Sequence, residues 1–134
     1  MAAGGEQSGK KARILVVDDD ENMRKLLSVV LTSKGHEIFL ASGPIEGIEA
    51  AARKKPDLIV LDLFMEPISG MDVLVQLRQV ESSAKTPVLM LTAANTINTV
   101  NQAFDLGVTD YITKPINLDR LQKKIAELLV RGPQ

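Results

Sequence analysis

Five short apolar runs alternate with stretches whose apolar residues recur at helical spacing, and this predicts an α/β fold: a single doubly wound (βα)5 sandwich on a five-stranded parallel sheet. Two further observations support it. The runs are almost uninterruptedly apolar, as strands covered on both faces are. The chain has 134 residues, which fits one domain with a real core.

The predicted strands are RILVV (13–17), EIFLA (37–41), DLIVL (57–61), PVLML (87–91) and a weaker DYIT (110–113). Met23, Leu26, Leu27, Val30 and Leu31 mark the first helix, which stops near Gly35. Ile45, Ile48, Glu49 and Ala52 mark the second, with Pro44 at its start. Ser69 is the expected cap of a third helix carrying Leu74, Leu77 and Val80, and Asn95 of a fourth carrying Ile97, Val100 and Phe104. The fifth begins after Asn117 and aligns Leu118, Leu121, Ile125 and Leu128. Right-handed crossovers then place helices on both faces of the sheet. Residues 1–11 read as a flexible lead-in, 12–130 as the domain, and 131–134 as a tail or truncated linker.

Composition narrows the function. Apolar residues make up 45% and charged residues 25%, and the net charge is −1, so no basic footprint for nucleic acid exists. No apolar run spans a bilayer and the N-terminus lacks a secretory core, which predicts a cytoplasmic protein without membrane contact. The absence of cysteine excludes disulfides, thiolate metal sites and a thiol nucleophile.

In a doubly wound sheet the ligand site lies outside the carboxyl ends of the strands. Asp18 and Asp19 follow the first run, Asp62 the third and Thr92 the fourth, and Lys114 stands just beyond the fifth. Singly, each suits a cap, a turn, a strand residue or a solvated charge. Together they converge on one rim. Three carboxylates there repel one another unless a cation neutralises them. An all-oxygen donor set suits Mg²⁺, with Mn²⁺ as the alternative, and Mg²⁺ commonly joins carboxylates to phosphate. An Asp can attack phosphorus, while a hydroxyl and an ammonium stabilise the transferred oxygens.

The blocks VVDDDEN, VLDLFMEPISG, PVLMLTAAN and DYITKP resemble the receiver domain of two-component response regulators, over about residues 12–130. The resemblance implies the flavodoxin-like strand order 2-1-3-4-5. It makes Asp62 the phosphoacceptor, Asp19 a direct metal ligand, Asp18 a ligand acting chiefly through water, and the backbone carbonyl of Phe64 the remaining protein ligand. Thr92 becomes the switch hydroxyl, Lys114 the ion-pairing lysine and Tyr111 the aromatic that turns inward on activation. A cis bond before Pro115 is likewise implied, where sequence alone favours trans. The implied role is a signalling switch rather than an enzyme. Its phosphoryl group comes from a sensor histidine kinase or a phosphotransfer protein, and its output passes through the fourth helix, fifth strand and fifth helix to an effector domain or protein. A phosphorylation-dependent homodimer is compatible with that role.

Two departures from the family pattern stand out. Glu66 occupies the place four residues after Asp62 where receivers usually carry Pro, and Pro67 follows; the distance to Gly70 is unchanged, so a local change is expected. Phe64 and Ala94, each two residues beyond a site residue, lack groups that position a hydrolytic water, which predicts slow autodephosphorylation. Arg120, Lys123 and Lys124 form a basic patch, read as solvated helix face, and the single His36 reads as structural. Two rivals remain: a pseudo-receiver that binds protein without taking phosphate, and an aspartate-nucleophile phosphatase using Asp18-x-Asp20. The second leaves Asp62 unexplained.

Overall fold

A computed structural model describes residues 11–93 and 96–133. The elements, in chain order, are β1 (Arg13–Val17), α1 (Glu21–Thr32), β2 (Glu37–Ala41), α2 (Pro44–Lys54), β3 (Leu58–Asp62), α3 (Gly70–Gln79), a 3-10 turn (Glu81–Ser83), β4 (Val88–Thr92), α4 (Ile97–Asp105), β5 (Asp110–Thr113) and α5 (Leu118–Arg131). All strand pairs are parallel, in the order β2-β1-β3-β4-β5. The predicted architecture and the order implied by the resemblance are both present.

Alternation along the strands divides the core into two layers. Leu15, Val17, Ile59, Leu61 and Met90 pack with Ala50 and Ala51 of α2, Val73, Leu74 and Leu77 of α3, and Ala103 of α4. Ile14, Val16, Leu58, Val60, Leu89, Leu91 and Ile112 pack with Leu27 and Leu31 of α1 and Leu121, Ile125 and Leu128 of α5. The central strands are therefore buried on both faces, which is why their sequences carry no polar alternation.

Helix starts follow capping chemistry. Asp20 accepts from the Asn22 N–H at 3.0 Å and caps α1. Ser69 and Asp72 form a reciprocal capping box at α3, and Asn117 accepts from the Arg120 N–H at 3.0 Å at α5. The expected cap Asn95 lies outside the described residues; the side chain that caps α4 is Thr96, which accepts from the Thr99 N–H.

The structure corrects four details. Strands β3 and β4 each run one residue later than expected, because Pro87 has no N–H for the ladder and the pairing extends to Asp62 and Thr92. The buried face of α2 is Pro44, Gly47, Ala50 and Ala51, while Ile45 is 53% exposed and Glu49 and Ala52 face solvent. Small residues line that face because α2 lies so close to β1 that a Cβ on Gly47 would sit 2.6 Å from Val17 Cγ1. In α1, Leu26 is 41% exposed, leaving Leu27 and Leu31 as the buried positions. In α4 only Ala103 is buried, and Ile97 (76% exposed) and Phe104 (44%) point outward.

Arg78, near the end of α3, ties distant loops together. Its guanidinium donates to the carbonyls of Ser83 (2.8 Å), Thr86 (2.7 Å) and Gly107 (2.7 and 3.1 Å). His36 has a comparable structural contact: its Nδ1 accepts from the Ala12 N–H at 3.2 Å, and burial holds its pKa below the usual value.

Candidate functional site

The ends of β1, β3 and β4 and the loop after β5 bring Asp18, Asp62, Thr92 and Lys114 to one rim. Asp18 is fixed on several sides. Its N–H donates to Ala41 O at 3.1 Å, its carbonyl accepts from Arg24 Nη1 at 2.7 Å, and its Oδ1 accepts from the Asp20 N–H at 2.9 Å. Its Oδ2 is buried and accepts no hydrogen bond, with Lys114 Nζ at 3.9 Å. Asp62 ends β3, where its Oδ1 accepts from Lys114 Nζ at 3.2 Å and from the Phe64 N–H at 3.3 Å.

The backbone that aims these side chains is itself tied to the sheet. Leu63 N–H donates to Leu91 O at 3.0 Å, and Lys114 N–H to Thr92 O at 2.8 Å. Thr92 is buried at the end of β4, opposite Thr113. Gly70 closes the loop after Asp62: its N–H donates to Leu63 O at 2.8 Å, and a Cβ there would strike Asp62 O and Leu63 Cα. The peptide bonds Lys114–Pro115 and Glu66–Pro67 are both cis, the first as the resemblance implied.

Asp18, Asp19 and Asp62 each present a carboxylate oxygen within 4.8 Å of the others, with Asp19 exposed and its two companions buried. Burial is the main cause that lifts the Asp18 pKa from 3.8 to about 6. The Asp20 N–H opposes it, Asp62 adds to it, and Lys114 opposes and Asp19 adds lesser amounts. Lys114 thus pairs with two of these three carboxylates, Asp62 at 3.2 Å and Asp18 at 3.9 Å. A buried Asp18 oxygen without a hydrogen bond, in a group of three carboxylates that among the described residues includes no histidine or cysteine, fits a hard divalent cation such as Mg²⁺.

Other expected residues lie nearby or apart. Phe64 is 58% exposed beside Asp62. Glu66 is exposed, takes no part in the carboxylate cluster, and makes no ion pair among the described residues. Tyr111, half-buried on β5, meets Phe104 edge to face at 6.1 Å and 81°. Ala94 lies outside the described residues. The basic patch is smaller than its sequence suggests, since Lys124 is paired with Asp110 (2.8 Å) and Glu127 (3.0 Å). Arg24 was missed: it bears on the site through the backbone carbonyl of Asp18, a contact for which spacing gives no signal.

A family model described as the response regulator receiver domain matches residues 14–126. The chain belongs to that family. Over 119 residues the receiver is 40% identical to the DNA-binding dual master transcriptional regulator RpaA of Synechocystis sp., with 89% of this chain and 49% of that protein covered. The response regulator MprA of Mycobacterium leprae is 38% identical over 119 residues, which cover 89% of this chain and 51% of MprA. The receiver thus spans about half the length of these two relatives. Among solved structures, the signal receiver domain of a putative Luxo repressor protein from Vibrio parahaemolyticus superposes with a TM-score of 0.84 at 31% identity, covering 91% of this chain and 92% of that one. The chemotaxis response regulator CheY4 of Vibrio cholerae gives 0.84 at 27%, covering 89% and 99%. Receivers of this kind are signalling switches of two-component systems rather than true enzymes. No helix among the described residues is long and apolar enough to cross a membrane.

Proposed function

We propose that this receiver, over residues 12–130, takes a phosphoryl group onto Asp62 from a sensor histidine kinase or phosphotransfer protein and relays the change through α4, β5 and α5. The observation that carries this reading is the placement of Asp62: a carboxylate at the mouth of the sheet, 3.2 Å from Lys114 and with an oxygen within 4.8 Å of a carboxylate oxygen of Asp18. A carboxylate oxygen of Asp62 attacks phosphorus, the phosphorus–nitrogen bond of the donor phosphohistidine breaks, and its electron pair leaves with the imidazole. Asp18, Asp19, Asp62 and the Phe64 carbonyl would hold Mg²⁺, which when bound neutralises charge on the phosphoryl oxygens. Lys114 pairs with the phosphoryl group and Thr92 donates its hydroxyl to it.

A phosphoryl group brings about −1.5 to −2 charge to this rim. Movement of Thr92 toward it frees space in the layer that Tyr111 flanks, so Tyr111 turns inward and the packing of α4 changes. The outward Ile97 and Phe104 and the exposed Arg120 and Lys123 support a partner surface here, for an effector domain, a separate protein or a second phosphorylated copy. The protein works in the cytoplasm and binds nucleic acid only through such a partner.

The test is to incubate purified protein with a small acyl-phosphate donor, with and without Mg²⁺, and follow intact mass beside Asp62→Asn. One added phosphoryl group, absent from the variant and without Mg²⁺, supports the reading. Consumption of donor without an adduct favours an aspartate-nucleophile phosphatase, and neither adduct nor turnover favours a pseudo-receiver. The same assay gives the lifetime. Neither the Phe64 nor the Ala94 side chain can hydrogen-bond a water, so the double variant Phe64→Asn, Ala94→Glu should lose phosphate at least about tenfold faster. Equal decay in variant and wild type would remove the explanation.

A further inference from the structure

We infer that Arg24 is a positioning residue for the cation site, an inference that rests on the proposed Mg²⁺ role of Asp18. The polar groups of Asp18 are assigned almost completely. Backbone groups hold its N–H and its Oδ1, through Ala41 O and the Asp20 N–H. Its carbonyl is held by a side chain, Arg24 Nη1 at 2.7 Å. With those anchors set, Oδ2 is left buried and without a hydrogen bond, and a carboxylate oxygen of Asp18 lies within 4.8 Å of oxygens of Asp19 and Asp62. Of the three anchors, Arg24 alone belongs to a side chain, so it alone can be removed by substitution.

Arg24 is placed for this work by the first turn of α1. Its own N–H donates to Asp20 O at 3.0 Å, the first helical hydrogen bond after the cap. The half-buried guanidinium therefore reaches back over the cap to the end of β1. In the first turn of α2, Glu46 accepts from the Ser42 N–H at 2.5 Å and the Ser42 hydroxyl at 2.9 Å. Those bonds, followed by the nearby charge of Arg24, hold the Glu46 pKa below its usual value. Arg24 thus anchors the loop after β1, and the contacts that orient a ligand act on metal affinity through the ligand.

Two effects of removing Arg24 have opposite signs, which makes the inference decidable. Loss of a positive charge near a cation site, by itself, tightens cation binding. Loss of the anchor lets the Asp18 turn relax and weakens it. Groups that orient ligands typically change affinity about 10–100-fold, whereas a half-exposed charge is screened by solvent and salt. Weakening should win.

The experiment is calorimetric titration of Mg²⁺ into wild type, Arg24→Met, Arg24→Gln and Arg24→Lys, with hydrogen exchange of the Asp20 amide measured without metal. Met and Gln cannot reach Asp18 O with a charged donor, so both variants should bind Mg²⁺ about tenfold more weakly and exchange the Asp20 amide faster. Lys should fall between them and wild type. If Met does not fold, the Gln variant carries the same comparison. Unchanged or tighter binding by Arg24→Gln overturns the role of Arg24 while leaving the metal site intact. If wild type binds no Mg²⁺ at all, the proposed function fails as well, and the two failures are told apart by that wild-type titration.

Discussion

Asp18→Asn is expected to stabilise the metal-free protein at neutral pH and to abolish its stabilisation by Mg²⁺. Burial, more than the neighbouring carboxylates, raises the Asp18 pKa from 3.8 to about 6. The folded state therefore binds this proton more tightly than the unfolded state. Its stabilising contribution is full below about pH 4 and is lost as pH rises through about 6. A shift of that size corresponds to about 3 kcal/mol. The amide gives up its attraction to Lys114, so a net gain of about 1–2 kcal/mol is expected above pH 6, or on the order of 5 °C in Tm. Urea melts across pH 4 to 8 check this: the advantage of the variant should open between pH 4 and 6 and then level off. Saturating Mg²⁺ should raise wild type toward the variant and leave the variant unmoved. An advantage independent of pH would contradict the electrostatic account.

Gly70→Ala should cost about 3 kcal/mol, a large effect for one methyl group. The added Cβ meets Asp62 O and Leu63 Cα, and both belong to backbone held in the sheet. Neither can step aside as a flexible side chain would. Relief must come from moving the start of α3 away from β3, which breaks the hydrogen bond from Gly70 N–H to Leu63 O and disturbs the Ser69–Asp72 cap. The same movement displaces Asp62 itself. Urea denaturation should show a lower midpoint with an unchanged slope, and cation binding should weaken in parallel. A variant within about 0.5 kcal/mol of wild type would mean that the loop accommodates the methyl group.

The fold was legible in the sequence because strands buried on both faces leave uninterrupted apolar runs, and because caps such as Ser69 and Asn117 mark helix starts with local chemistry. The candidate site was legible for a related reason. Asp18, Asp62, Thr92 and Lys114 each stand at or just beyond a strand end, so topology alone brings them together. Strand order came from the resemblance, since periodicity does not record which strands are neighbours. The buried face of α2 was misread because close packing against Val17 requires Gly47, Ala50 and Ala51, residues that carry little hydrophobic signal. Apolar residues on α4 pointed outward, where periodicity alone placed them in the core. Arg24 acts on Asp18 through its carbonyl, and sequence spacing holds no trace of such a contact.

The central claim is that Asp62 receives the phosphoryl group. It is tested most directly by phosphorylating the receiver in Mg²⁺, reducing the acyl phosphate with borohydride, and mapping the peptides by mass spectrometry. Reduction converts a phosphorylated aspartate to homoserine, and the account predicts that residue at position 62 alone, in a yield that follows the phosphorylated fraction. Homoserine at Asp18 or Asp19, or an adduct that resists reduction, would contradict it.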